Sequence, residues 1–272
     1  MDERPTLIVK IGGSVADSLQ NVAKDIATLT SIYTIIIVHG CSAQMNELCR
    51  KMGLTPKFIT SPSGFKSRYT DAETLVVYNL AVCVASTNVI LALRREGVNA
   101  VRLNGLDGAS IIAKQKIVYH IDEQGKEKLI RDDFTGKIEK INIQLLTLLL
   151  KNNYVPVIGA LAIGENNQPL NVDGDRLAAA IGIATKGSTI ISLTDVDGYY
   201  EEGTIVPSLS LEEVFKAIKK AGGGRESGGM KKKLYACAEA LQGGVKEFII
   251  GNGRLQNPIS NLLAGAGTHC RI

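Results

Sequence analysis

Three short stretches of this 272-residue chain gather the residue types that could handle a phosphoryl group. They are Lys10-Ile-Gly-Gly-Ser14, Asn171-Val-Asp-Gly-Asp175 and Gly228-Gly-Met-Lys-Lys-Lys233. None matches a Walker P-loop or a dinucleotide fingerprint. Together they supply two lysines in separate loops, an aspartate to orient them, and runs of exposed backbone N–H groups. Phosphoryl transfer asks little covalent chemistry of a protein; it asks for positioning and for charge stabilisation. These residues could provide both, and the expected activity is that of an unusual kinase.

The elements that must position them alternate between strand and helix. Leu7–Ile11 and Tyr33–His39 are apolar runs that end at glycine, as buried central strands do. Residues 17–30 and 42–52 read as helices. Thr70-Asp-Ala-Glu73 has the form of a capping box and opens a helix to about Glu96, with Leu75, Tyr78, Val82 and Val89 on its apolar positions. Strands are expected at 99–103, 154–158, 188–193 and 245–250, helices at 142–151, 173–185, 211–221 and 231–242, and hairpins at 115–133 and near 200–206. The alternation predicts an α/β fold, a three-layer αβα sandwich around a mostly parallel sheet. Ligands of such sheets gather beyond the carboxyl ends of the strands, where the glycine loops fall.

Each loop admits two readings. Lys10 with Gly12 and Gly13 is either a phosphate cradle or a strand-end turn with a snorkelling lysine. His39-Gly40-Cys41-Ser42 leads into a helix whose first N–H groups could hold an anion; His39 itself reads as a packed strand-end histidine. Arg68, shortly before the long helix, suits bidentate capture of a carboxylate, or is a solvated loop arginine. Asp173 is an N-cap candidate, whereas Asp175, inside the first turn, could point back at the sheet edge. Thr194-Asp-Val-Asp-Gly-Tyr-Tyr200 is a strand-end loop able to hold a nucleotide, or an ordinary Asp-Gly turn. Five glycines in eight residues before three lysines, over 222–233, cost folding entropy and oppose a helix dipole. A phosphate ligand would offset that conflict.

Composition narrows the class. A net charge of +4, 5% aromatics and no Trp argue against a dedicated nucleic-acid binder. The five cysteines show no CxxC pair and read as reduced thiols of a cytoplasmic protein. Leu80–Leu93, the longest nearly apolar run, is short of the roughly 20 residues a membrane span needs. No membrane partner is expected.

The set Lys10-Ile-Gly-Gly-Ser14, His39-Gly40, Thr70-Asp-Ala-Glu-Thr74, Asn171-Val-Asp-Gly-Asp175, Leu193-Thr-Asp-Val-Asp-Gly198 and Gly228-Gly-Met-Lys-Lys-Lys233, in this order, resembles the amino acid kinase family over essentially the whole chain. The resemblance implies one domain, with an acceptor-binding lobe over about 1–172 and a nucleotide-binding lobe over about 173–272. It implies that Lys10 and Lys233 stabilise the transferring phosphoryl group and that Asp175 holds them. It puts Gly40, Cys41, Arg68 and Asn171 at the acceptor. The nucleotide falls to Gly12, Gly13, Ser14, Thr194, Asp195, Asp197, Gly198, Tyr199, Tyr200, Arg225 and Ser227. ATP with Mg²⁺ is the implied donor. Ser67-Arg-Tyr-Thr-Asp71 is similar to the branch that phosphorylates 2-aminoadipate or glutamate on a small acidic amino-group carrier protein of the LysW type, in lysine or arginine biosynthesis.

A side-chain carboxylate is already ionised at pH 7, so such a reaction needs no general base. The runner-up is an N-acetylglutamate kinase. Two further readings are a nucleotide or amino-acid sensor, and a kinase of uridylate, carbamate or isopentenyl phosphate; the last is expected to carry a histidine soon after the glycine loop, which Ser42–Asn46 lacks. Cys41-Ser42 departs from the glycines usual in the family, and a positive φ at Cys41 would strain it. The first strand begins at about Pro5, which leaves no room for the extra N-terminal helix of hexameric, arginine-inhibited relatives. A homodimer that arginine does not inhibit is expected. Lys57, Lys66, Arg68, Arg50 and Lys51 are expected to form a basic rim that speeds the encounter with an acidic carrier.

Overall fold

Eight strands form one sheet: β1 Thr6–Ile11, β2 Thr34–His39, β3 Ala100–Asn104, β4 Val155–Gly159, β5 Thr189–Thr194, β6 Ser208–Ser210, β7 Glu247–Asn252 and β8 Thr268–Arg271. The computed structural model describes residues 4–60, 66–121, 126–220 and 228–272. The strand order is β6-β8-β7-β5-β1-β2-β4-β3. From β7 to β3 every neighbouring pair is parallel; β8 runs antiparallel to β7, and β6 follows β8.

Both faces of the sheet are covered, which is why its strands read as continuous apolar runs. Side chains alternate between the faces. Leu7, Val9, Ile11, Ile35, Ile37, Ile191 and Leu193 pack on one side with α1 (Leu19–Leu29), the second half of α3 (Ala72–Arg95) and α8 (Pro258–Leu263). Ile8, Ile36, Val38, Ile190, Phe248 and Ile250 pack on the other with α4 (Ile143–Lys151), α5 (Gly174–Ala184), α6 (Leu211–Lys220) and α7 (Gly228–Gln242). Lys10 and Ser192, two residues beyond Ile8 and Ile190, share that second face. Their side chains are thereby aimed at α5 and α7.

Several boundaries move. The expected helix 17–30 splits into a 3-10 turn, Gly13–Ser18, followed by α1. The cap of α3 is Asp71, which accepts from the Thr74 amide at 2.9 Å, one residue beyond the expected Thr70–Glu73 box. The helix after the glycine loop starts at Gly228 rather than 231. First-turn amides lack helical partners in any case, so glycines are tolerated there. The 115–133 hairpin is present as Val118–Ile121 paired with Glu127–Ile130, its turn lying outside the described residues. A second, four-stranded sheet has the order Pro169–Asn171, Leu161–Ile163, Ile111–Gln115 and Gly136–Ile141. The remaining short helix, α2, spans Ser42–Lys51. By length and composition α3 could cross a membrane, and half of its most apolar stretch is buried inside the protein.

Candidate active site

Lys10 is the next-to-last residue of β1 and stands beside Ser192 of β5. Asp173 caps α5 by accepting from the amides of Asp175 and Arg176, both at 3.0 Å. That cap leaves Asp175, in the first turn, pointing onto the sheet. Its carboxylate meets Lys10 Nζ at 3.0 Å and Lys233 Nζ, from α7, at 3.1 and 3.2 Å. Ser192 Oγ donates to Asp175 Oδ1 at 2.9 Å and lies 3.3 Å from Lys233 Nζ. Lys10, Asp175 and Lys233 are each 7% exposed.

Two ammonium groups thus share one carboxylate out of water, which gives the three-residue cluster a net charge of +1, with Asp173 acting on Lys10 from outside it. A buried charge is costly unless paired, so the cluster is built to receive an anion. Burial opposes ionisation of Asp175, but Lys10 and Lys233 outweigh it and hold the carboxyl well below its ordinary range. The lysines divide unequally. Burial lowers Lys10's pKa, but Asp175 and Asp173 together outweigh it and leave it above the usual lysine value. For Lys233 burial dominates, with Lys10's charge adding to it against Asp175, and its pKa falls to about 8.

The loops around the cluster are tightly packed. A Cβ on Gly12 would stand 2.8 Å from Leu193 O, and one on Gly13 2.0 Å from Ser42 Oγ, so neither position has room for a side chain. Both were expected to offer their amides, as was Gly40. The Gly12 and Gly40 amides are instead committed, to Leu193 O at 3.1 Å and Ile11 O at 3.2 Å. Gly13 and Ser14 open the 3-10 turn, where first amides have no helical partner. At Gly40 an added side chain would meet no atom within 4 Å, so open space adjoins it.

Arg68, expected at the acceptor, donates to Asn46 Oδ1 at 2.6 Å and stacks over Phe58, and its Nη1 is buried without a hydrogen-bond partner. Asn171 Nδ2 donates to Thr70 Oγ1 at 3.0 Å. Cys41 differs from expectation. Its φ of −134° carries no strain, and its side chain is packed with Met45, Cys49 and Tyr78 rather than turned to a ligand. Burial pushes its thiol up to about 12. His39 is the expected packed histidine: Nε2 lies 2.8 Å from Ser86 Oγ, and burial lowers its pKa to about 4. The basic rim is partly neutralised. Lys57 pairs with Asp71 at 3.7 Å and Lys51 with Glu47 at 2.6 Å.

The loop after β5 is laced to the loop after β7. Thr194 Oγ1 donates to Asp195 Oδ1 at 3.1 Å, Asn252 Nδ2 to Asp197 Oδ1 at 2.7 Å, and the Tyr200 hydroxyl to Asp197 Oδ2 at 3.3 Å. Arg254 reaches Ser14 O at 3.0 Å and Asp195 at 3.9 Å. Tyr199 departs from expectation: its side chain is buried in the core, and its amide donates to Thr268 Oγ1 at 2.8 Å. Gly198 precedes it, close against Thr268. Arg225 and Ser227 lie outside the described residues. Ser192, Asn252, Arg254 and Thr268 had no expected role. Ser192 carried a signal as the hydroxyl inside the apolar run Ile190–Leu193, and Gly251-Asn-Gly-Arg254 is a glycine-bounded strand end like the others.

Comparison with known proteins follows the same lines. A sequence profile of the amino acid kinase family matches residues 5–252. The chain is 37% identical over 265 residues to the LysW-aminoadipate/LysW-glutamate kinase of Metallosphaera sedula, covering 96% of this chain and 98% of that protein. To the LysW-aminoadipate kinase of Thermus thermophilus it is 34% identical over 271 residues, covering 97% and 100%. Among solved structures, smu.665 from Streptococcus mutans superposes with a TM-score of 0.75 at 22% identity over 98% of each chain.

Proposed function

The chain belongs to the amino acid kinase family, and from that premise we propose that it phosphorylates the side-chain carboxylate of 2-aminoadipate or glutamate carried on a small acidic LysW-type protein. ATP is the donor and an acyl phosphate the product, in lysine or arginine biosynthesis. The observation that carries the reading is the buried Lys10–Asp175–Lys233 cluster with one cation in excess.

The acceptor carboxylate attacks the γ-phosphorus, a C–O–P bond forms, and the bond to the β,γ-bridging oxygen breaks as ADP leaves. Lys10 and Lys233 meet the charge that spreads over the γ-oxygens. Asp175 sets their spacing, and Ser192 fixes Asp175. Asp175 is engaged by the lysines and Ser192 rather than free to ligate a metal; Mg²⁺ carried by the nucleotide would supply charge neutralisation at the phosphates. Gly13 and Ser14 offer amides to the phosphates. Thr194, Asp195, Asp197 and Tyr200 flank the nucleotide. Arg68, with its unpaired Nη1, and Asn171 grip the acceptor's α-side groups. A homodimer fits the exposed face of α3, where Val76, Leu80, Val84 and Leu91 form an apolar stripe that a second copy would cover.

Hydroxamate trapping of the acyl phosphate tests the function. With carrier-linked aminoadipate or glutamate and free N-acetylglutamate offered in parallel, the carrier-linked acceptors are expected to turn over efficiently and to slow as salt rises from about 50 to about 300 mM through screening. A preference for free N-acetylglutamate without a salt effect would assign the chain to the ordinary acetylglutamate kinases instead.

A further inference from the structure

Thr70 joins Arg68 and Asn171, the two residues proposed to grip the acceptor, and it is fully buried. Because Asp71 takes the cap of α3, the Thr70 hydroxyl is left for other partners. It donates to Arg68 O at 3.3 Å and accepts from Asn171 Nδ2 at 3.0 Å. Its backbone is held as firmly. The Thr70 amide donates to Asp133 Oδ2 at 3.0 Å, and Thr70 O accepts from the Phe134 amide at 2.8 Å. Asp133, itself buried, also accepts from the Thr135 amide at 2.8 Å. Phe134 O in turn accepts from the Asn171 amide at 2.9 Å. Residues 133–135 thus strap the start of α3 to the strand that carries Asn171.

These bonds decide which way the two unlike ends of the Asn171 side chain point. A hydroxyl has one proton, and a carbonyl can only accept. Thr70 therefore spends its proton on Arg68 O and can only accept from Asn171. Asn171 must give Thr70 its NH2 group and turn its own oxygen the other way. That oxygen accepts from no group among the described residues, and Asn171 is half-buried. Half a turn of the amide would set two oxygens face to face with no proton between them, and strand the Thr70 hydroxyl.

Resting on the acceptor roles given to Arg68 and Asn171, we propose that Thr70 is a positioning residue for the acceptor. Its hydroxyl locks the Asn171 amide with the oxygen outward, so that this position takes an N–H from the acceptor's α-nitrogen while the Arg68 guanidinium takes the α-carboxylate. The same hydroxyl ties the Arg68 backbone to Asn171, so the two contacts keep one spacing.

A double-mutant cycle read on the acceptor KM tests this, with whichever acceptor the wild type turns over. Thr70→Val keeps the shape and removes the hydroxyl. It is expected to raise the acceptor KM at least about threefold, as loss of one aligned hydrogen bond does, with kcat and the KM for ATP little changed. Thr70→Ser, which restores the hydroxyl, is expected to restore the KM. In an Asn171→Ala background Thr70→Val is expected to add nothing, whereas a merely structural residue would add its cost there too. An equal rise in both backgrounds, or Thr70→Ser as poor as Thr70→Val, would overturn the proposal. A wild type that turns over only free N-acetylglutamate changes the acceptor's identity, and the cycle is then run on that acceptor. If Thr70→Val does not fold, or no acceptor is turned over, NMR of the wild type decides. A nuclear Overhauser contact from the Asn171 side-chain NH2 to the Thr70 methyl is expected, and its absence would equally overturn the proposal.

Discussion

The catalytic cluster depends on ion geometry at single residues. Lys10→Ala and Lys233→Ala are each expected to lower turnover by about 10²-fold or more at saturating ATP while the fold survives, as removal of one preorganised donor does elsewhere. Near-normal turnover in both variants would remove them from the chemistry. Lys233 also sets a pH limit. Its pKa lies at about 8 in the folded protein, and only the protonated form can meet phosphate charge. The kcat/KM for ATP, which reports the free enzyme, should therefore be level below that pH and fall as pH rises through it. In Lys233→Arg the guanidinium stays charged throughout, so the alkaline fall should vanish even if overall activity drops. A fall that persists in Lys233→Arg would assign the titration to another group.

At the scale of elements, the loop after β5, proposed to flank the nucleotide, rests on the start of β8. Thr268 Oγ1 accepts from the Tyr199 amide at 2.8 Å and donates to Val206 O at 2.7 Å. Thr268→Val keeps the shape and strands both groups. It should cost about 1–3 kcal/mol of stability, as unpaired buried polar groups do, and raise the KM for ATP severalfold with kcat little changed. Unchanged ATP affinity would show that the loop holds itself. The central strands and long helices were legible in the sequence because burial on both faces writes unbroken apolar runs and periodic stripes, as in Leu7–Ile11 and α3. Lys10, Asp175 and Lys233 were legible for the opposite reason, as charges placed where packing alone would not put them. The four-stranded sheet was not legible: Leu161–Ile163 and Pro169–Asn171 are three-residue strands, too short to show a period. Ser192 and Thr268 were missed because a strand hydroxyl gains its meaning from partners far along the chain, 17 and 69 residues away. Cys41 and Tyr199 misled because their loops border the cleft while their side chains turn inward.

For the whole molecule, the α3 stripe makes assembly testable. Leu80 and Val84 are 47% and 43% exposed. Leu80→Glu combined with Val84→Glu should convert a dimer into monomers by light scattering, since two carboxylates facing their symmetry mates would be buried unpaired. Wild-type protein that already runs as a monomer, or a hexameric mass, would exclude this interface. Hexamers inhibited by arginine would further align the chain with a different regulatory plan.

The strand order also bears on when the protein becomes active during synthesis. β8 lies between β6 and β7, so the sheet is open at that place until the chain beyond Gly267 has emerged. Lys10, Asp175 and Lys233 are translated well before then. Tyr199 waits for Thr268 across 69 residues, about 3 to 14 s at ordinary elongation rates. A nascent chain can thus carry every residue of the charged cluster while the loop after β5 still lacks its anchor. The loop's anchor is made after every residue of the charged cluster, so whatever depends on the fixed loop follows whatever depends on the cluster alone.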